Sequence, residues 1–147
     1  MDVASGECVT FVDPDDYVHP ECYKTVYNLT KKDNIDIIQF EKKNIINQSQ
    51  KIIIDKSEVD QSDSIVLDLE QFLKKIKAQA VWFKMFKSNI LKENNIRFMA
   101  DISIREDICF SFMTFPRVKR FKIIPGKFYN YRYRPGSAVR SFDTYNY

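Results

Sequence analysis

Three carboxylates fall within four residues at Asp13, Asp15 and Asp16, and Pro14 stiffens the turn between the first two. They follow the β-rich run Cys8-Val9-Thr10-Phe11-Val12, which predicts an acidic turn at the carboxyl end of a buried strand. Carboxylate oxygens suit hard divalent cations, and magnesium or manganese held by one or two of them completes its shell with water and phosphate oxygens. The sharp reading is a metal–diphosphate site. The plain one is a turn with no ion, because Asp and Pro are favoured turn residues in their own right. A second acidic pair, Glu106-Asp107, opens a predicted helix, and either residue could be a general base that takes a proton from a hydroxyl nucleophile. Glu106 stands three residues after Ser103, where a capping box would occupy it with a free backbone amide. Asp107 has no such local task and is the better candidate.

Tyr129, Tyr131 and Tyr133 alternate with Asn130, Arg132 and Arg134, which puts aromatics on one face of a predicted strand and polar groups on the other. Aromatics interleaved with arginine can stack bases or sugars and clamp phosphates, or simply form an amphipathic strand. With His19 as the single histidine, no His-based zinc site is assembled. Cys8, Cys22 and Cys109 sit in apolar runs as small hydrophobes, which fits a reducing compartment.

The elements that must position these groups follow from periodicity. Pro20-Glu21 opens a helix carrying Cys22, Val26 and Leu29 at i, i+4 and i+7, and Asp36 to Phe40 is a second strand. Strand, helix, strand in about thirty residues is the rhythm of an α/β sheet. Residues 41–66 read as a polar hairpin or loop excursion. Asp68 and Gln71 form a capping-box signature, followed by Leu69, Phe72, Leu73, Ile76 and Ala80 at helical spacing. Val81 to Phe86 reads as a strand, Ser88 to Asn94 as a short helix, and Val118 to Ile124 and Phe128 to Tyr133 as strands.

At 147 residues, 44% hydrophobic and 14% aromatic, the chain can fill a single core, so global disorder is excluded. No apolar run approaches the ~18 residues of a membrane span, and Met1 to Thr10 lacks the pattern of a secretory signal, so the cytoplasm is expected. Net charge is +3, but residues 1–70 carry 15 acids against 7 bases while residues 71–147 carry 5 acids against 16 bases. A basic second half seeks an anion: nucleic acid, a nucleotide diphosphate, or the acidic half of the same chain.

Read in order, Ala4 to Val18 resembles the segment A-x-G-E-Y-h-x-F-h-D-x-D-D of family 2 glycosyltransferases. Asn34 to Ile38 is similar to that family's strand after the first helix, Trp82-Phe83-Lys84-Met85-Phe86 to its W-N-K-L-Y segment, Glu106-Asp107 to its E-D pair, and Tyr131 to Ser137 to its closing Y-R-x-R-x-G-S. Five motifs in order favour the metal reading of the acidic turn. The resemblance implies an α/β chain of incomplete GT-A type, a mixed sheet with flanking helices. The implied activity is inverting transfer of a sugar from a nucleotide-diphosphate donor to a hydroxyl of a glycan or lipid-linked acceptor in surface-polysaccharide synthesis. By position it implies a divalent metal, Mn2+ or Mg2+, on Asp15 and Asp13, with Asp13, Asp16, Arg134 and Ser137 on the donor. Asp107 would be the base, oriented by Glu106, and Trp82 and Lys84 would border the acceptor.

Phe83 departs from the family's Asn at that position. The family also has a nucleotide-binding half before the acidic turn, so residues 1–147 are expected to be a partial domain, with an acceptor and base region at 81–137. Such a fragment is expected to be inactive alone and to self-associate through an exposed sheet edge. A site at the inner membrane surface would suit a lipid-linked acceptor, and no nucleic acid is expected. The competing readings are a basic nucleic-acid-binding module and a catalytically silent interaction fragment.

Overall fold

The structure, a computed structural model, describes residues 3–45, 66–76, 80–102 and 105–132. Strand β1 (Cys8–Thr10) leads through the acidic turn to the short β2 (Tyr17–Val18) and helix α1 (Cys22–Lys32). Then come β3 (Ile37–Ile45), α2 (Leu69–Lys75), β4 (Lys84–Lys87), α3 (Ser88–Glu93), α4 (Glu106–Thr114) with a 3-10 turn at Phe115–Arg117, and β5 (Phe121–Arg132). The strands form one mixed sheet in the order β1-β4-β3-β5-β2, in which only β3 and β5 are parallel neighbours. The expected mixed sheet with flanking helices is present.

The strand–helix–strand rhythm holds, but β1 and β3 do not pair directly. β4 inserts between them antiparallel to both, matching Val9 with Phe86 on one side and Ile37 with Phe86 on the other. Alternation along the strands then divides the core. On one face Ile38, Phe40, Met85, Phe128 and Tyr129 pack under Cys22 and Val26 of α1. On the other face Ile37, Phe86 and Phe121 meet Phe72, Leu91, Phe110 and Phe115 from α2, α3, α4 and the 3-10 turn.

Asp36 ties three strands together where they start or end. Its carboxylate accepts the backbone N–H groups of Lys119 and Arg120 at 3.1 Å each and the Lys87 ammonium at 3.2 Å. Its own backbone bonds to Arg120 O and Lys87 N. No helix among the described residues is long and apolar enough to cross a membrane.

Local expectations meet mixed outcomes. The capping box at α2 forms as read, with Gln71 N to Asp68 Oδ1 at 2.8 Å and Asp68 N to Gln71 Oε1 at 3.1 Å. The helix nevertheless stops at Lys75, because Ile76 is already extended, so Ala80 lies outside it. The strand at Val81 begins only at Lys84, after a turn. Residues 41–45, read as the start of a polar excursion, instead continue β3 alongside β5, and 46–65 lie outside the described residues. The two C-terminal strands are a single β5, whose Pro125-Gly126 is absorbed by register shifts around Glu41.

Phe72 is fully buried, stacked on Phe121 at 4.3 Å and edge-on to Phe115 at 5.2 Å. Phe72→Ala is expected to cost about 3–5 kcal/mol in urea denaturation, the usual range for an emptied aromatic site. Leu73→Ala, at a side chain 48% exposed on the same helix, should change stability by less than about 1 kcal/mol.

Candidate active site

The acidic turn begins with Asp16 N donating to Asp13 O at 3.0 Å, an ordinary turn bond between chain neighbours. What fixes it in space comes from β5, more than a hundred residues away. The Tyr129 hydroxyl accepts the Asp13 N–H at 3.2 Å and donates to Asp16 Oδ2 at 2.8 Å. The backbone N–H of Arg132 donates to Asp16 Oδ1 at 2.8 Å, and Arg132 Nε donates to the Asp15 carbonyl. Both oxygens of Asp16 are therefore engaged in holding the turn to the sheet. β2 follows at once and pairs Tyr17 with Asn130 and Val18 with Tyr129, so the same stretch of β5 anchors the turn and its exit.

Opposite the turn stands the start of α4. Its approach is set by an aromatic cluster: Phe110, fully buried, lies 5.3 Å from Phe11, 4.6 Å from Phe98 and 5.6 Å from Phe86. Phe11 precedes Asp13 by two residues and Phe110 follows Asp107 by three, so packing these rings brings the two acidic segments to the same end of β1. The electrostatics agree. Burial, then the charges of Asp16, Asp15, Asp107 and Glu106, raises the Asp13 pKa above the ordinary aspartate value. Because Asp13 as a whole residue remains exposed, the four like charges are the informative part: five carboxylates share one region.

Helix α4 starts at Glu106 with Arg105 as its N-cap, in left-handed backbone at φ 62° and without a side-chain cap bond, while Ser103, read as the capping partner of Glu106, lies outside the described residues. Asp107 has a local task after all: its Oδ1 accepts the Ile108 N–H at 2.8 Å. That bond holds one oxygen of the carboxylate at the helix mouth.

Lys84 has no solvent exposure. Its ammonium donates to the Ala80 carbonyl and lies 4.0 Å from the Phe83 ring centroid, so the side chain sits beneath the site, inside the core. Burial pushes its pKa down to about 7, with the Asp107 charge acting in the opposite direction. Trp82 is partly exposed and packs on Tyr129 at 4.5 Å and Tyr131 at 5.6 Å. Arg134 and Ser137, expected on the donor, lie outside the described residues. Among the described residues no group of three or more His, Cys, Asp or Glu side chains is gathered tightly enough to enclose a metal by itself. The roles of Tyr129 and Arg132 as clamps on the turn escaped the sequence reading, whose one clue was their alternation in β5.

Removing only the phenolic oxygen tests the clamp. Tyr129→Phe leaves the Asp13 N–H and one Asp16 oxygen without their partner and should cost about 1–3 kcal/mol in urea denaturation. Lys84 gives a pH-dependent test. The unfolded chain titrates Lys84 near the ordinary 10.5 and the folded chain near 7, so between these values only the unfolded chain holds the proton. Stability of the wild type therefore rises as pH goes from about 7 to about 10 by a contribution that Lys84→Met lacks. Denaturation of both chains at several pH values should show the difference between them shifting in the wild type's favour as pH rises.

No protein-family model matches the chain. Over 121 residues it is 30% identical to a poly(ribitol-phosphate) beta-glucosyltransferase of Bacillus spizizenii, a match spanning 82% of this chain and 18% of that protein. Among solved structures, S. aureus TarS 1-349 in complex with UDP-GlcNAc is similar with a TM-score of 0.74 and 19% identity over 99% of this chain and 39% of that one. The complex of the same protein with UDP gives 0.70 and 20% identity over 91% and 38%. The chain thus spans well under half the length of these proteins. Its sequence is similar to that of a glycosyltransferase, and its fold is that of the TarS structures over more than a third of their length, an incomplete GT-A-type mixed sheet with flanking helices.

Proposed function

We propose that this chain is part of a family 2-type glycosyltransferase that moves a sugar from a uridine-diphosphate donor to an acceptor hydroxyl in cell-surface polymer synthesis, with inversion at the anomeric carbon. The observation that carries the reading is the convergence of Asp13, Asp15, Asp16, Glu106 and Asp107 at the carboxyl end of β1, in a fold shared with structures that hold UDP-GlcNAc and UDP. Open α/β sheets collect ligands at such strand ends.

The residues divide the work by their surroundings. Asp16 is spent on Tyr129 and Arg132, so its role is to hold the turn. Asp13 and Asp15 would hold a divalent cation between them and the donor diphosphate. The fit is electrostatic: burial first, and then repulsion from Asp16, Asp15, Asp107 and Glu106, raise the Asp13 pKa, and a bound cation would relieve the repulsion. When bound, the ion would neutralise the leaving diphosphate. Asp107, with one oxygen held by Ile108 N, would take the acceptor proton through the other while the acceptor oxygen bonds to the anomeric carbon and the bond to the diphosphate breaks on the opposite side. Glu106, beside it, would orient the base or the acceptor, and Trp82 would border the acceptor.

Several bases that could have served a nucleic-acid partner are used within the chain. The Lys122 ammonium is fully buried on the Asp33 carboxylate, Arg120 bonds to Asp33 O at 3.0 Å, and Arg132 bonds to Asp15 O. This favours the transferase reading over a nucleic-acid module.

Calorimetric titration with UDP in the presence of manganese is expected to give saturable binding that Asp15→Asn abolishes. In a transferase assay with the remaining sequence of such an enzyme supplied, Asp107→Asn should lower kcat by about 10²–10⁴ while leaving UDP affinity unchanged. Equal manganese-dependent binding by wild type and Asp15→Asn would remove the metal assignment.

A further inference from the structure

Strand β1 has acidic residues beyond its carboxyl end and a cluster of bases beside its amino end. There a cavity of about 540 Å³ opens between the last turn of α1 and the start of α3, with Glu7, Cys8, Lys31, Asn34, Lys87 and Lys92 among its lining residues. Each cation is brought there by a local cause. Lys31 stands in the last turn of α1, and Asn34, in left-handed backbone at φ 51°, turns the chain from that helix toward β3. Lys87 ends β4 opposite Cys8. Ser88 Oγ donates to Gly6 O at 2.5 Å and Ser88 N to Glu7 O at 2.9 Å, which fixes the start of α3 against the segment entering β1. Lys92, one helical turn on from Ser88, is brought to the same side.

The ammonium groups are held without being used up. Lys31 donates to Glu7 Oε2 at 2.8 Å, Lys92 to Ala4 O at 2.8 Å, and Lys87 to Asn34 Oδ1 at 2.6 Å and Asp36 Oδ1 at 3.2 Å. An ammonium has three N–H donors, so these bonds orient each group and leave capacity for a ligand. Because Asn34 meets Lys87 through its oxygen, its amide nitrogen is a further donor. Among the described lining residues three ammonium groups face one carboxylate, that of Glu7. The Asp36 carboxylate nearby is shared with two backbone N–H groups. A concave site with an excess of positive charge concentrates anions. Its volume is that of a small-molecule site, more than a bare ion fills. A phosphate monoester meets both conditions, since it is close to a dianion at neutral pH, offers three acceptor oxygens to three ammonium groups, and carries an organic part. A phosphodiester brings a single charge and fits the cluster less well.

We propose that this cavity binds the terminal phosphate of a phosphate monoester, at a site separate from the acidic turn. Lys31, Lys87 and Lys92 hold the phosphoryl oxygens, with the Asn34 amide beside them. Glu7 is then a competitor: its carboxylate pairs with Lys31, where the incoming dianion takes its place. The site does not rest on the transferase reading, because its residues surround the amino end of β1 and the acidic turn lies beyond the other end. The same group is offered by a soluble metabolite and by a lipid with a terminal phosphate.

Calorimetric titration of the full chain with monomethyl phosphate at neutral pH is expected to give saturable binding, and dimethyl phosphate to bind at least tenfold more weakly. Lys31→Gln and Lys92→Gln, both at exposed positions, should each weaken the monoester at least fivefold, and Lys74→Gln, outside the cavity, should leave it unchanged. Glu7→Gln removes the competing carboxylate and should tighten binding at least twofold, a gain that a purely structural role for the Glu7–Lys31 pair would not produce. Equal affinity for the two esters overturns the proposal, as does binding that both lysine variants retain. So does hepta-aspartate binding as tightly as the monoester, since the cavity would then receive an acidic protein segment. Monoester binding that Asp15→Asn abolishes overturns it too, by moving the phosphate to the acidic turn. Flotation with phosphatidylcholine vesicles separates the two sources. Capture by vesicles carrying phosphatidic acid but not by those carrying phosphatidylglycerol, lost in both lysine variants, supports the site with a lipid as its ligand. Binding of the soluble ester without flotation supports it with a metabolite.

Discussion

The geometry of the candidate site depends on how Asp16 is held. A turn with three carboxylates repels itself, and left to local forces it would spread its charges into solvent. Here one carboxylate is taken out of play: its two oxygens accept the Tyr129 hydroxyl and the Arg132 backbone N–H, and the turn's backbone is held by the same two residues. Charge-assisted bonds of this kind are stronger than neutral ones and directional. The result is a turn on which Asp13 and Asp15 are carried at positions set by the clamp on Asp16 and on the turn's backbone.

The opposing helix is positioned by apolar packing instead. Phe110 meets Phe11, Phe86 and Phe98 in edge and stacked contacts that bury the ring completely. Because Phe11 belongs to the segment that enters the acidic turn, the two acidic elements are registered through one shared core. A polar clamp sets one wall of the site and an aromatic cluster sets the other. The Asp107 carboxylate is further fixed by the helix that carries it, through Ile108 N.

Charge is spent inside the chain to a degree that composition conceals. The acidic first part and basic second part meet at Asp33 with Lys122, at Asp36 with Lys87 and the Lys119 and Arg120 amides, and at the turn with Arg132. These contacts join the ends of β3, β4 and β5, so they specify strand arrangement more than they add stability, since burying an ammonium such as that of Lys122 offsets much of what its pairing gains. Lys42, a base of the acidic part, is instead exposed over the Trp82 and Tyr131 rings beside β5.

What the sequence determined by itself is local. The strand before Asp13, the helix carrying Cys22 and Val26, the Asp68–Gln71 capping box and the short helix at Ser88 all follow from residue type and spacing within a few positions, and the structure contains each of them. Where a local signal competed with a longer-range one, the latter prevailed. Helix α2 ends before Ala80, and the polar residues at 41–45 are held extended by pairing with β5. The motif order also pointed to the fold, because ordered motifs carry topology that no single one does. Only the tertiary structure decided that β4 lies between β1 and β3, that Lys84 is buried beneath the acidic region, and that Tyr129 and Arg132 hold the turn from 113 to 117 residues away. Residues so far apart in the chain are brought together by the burial of two sheet faces, a constraint on the whole chain that no short window of sequence contains.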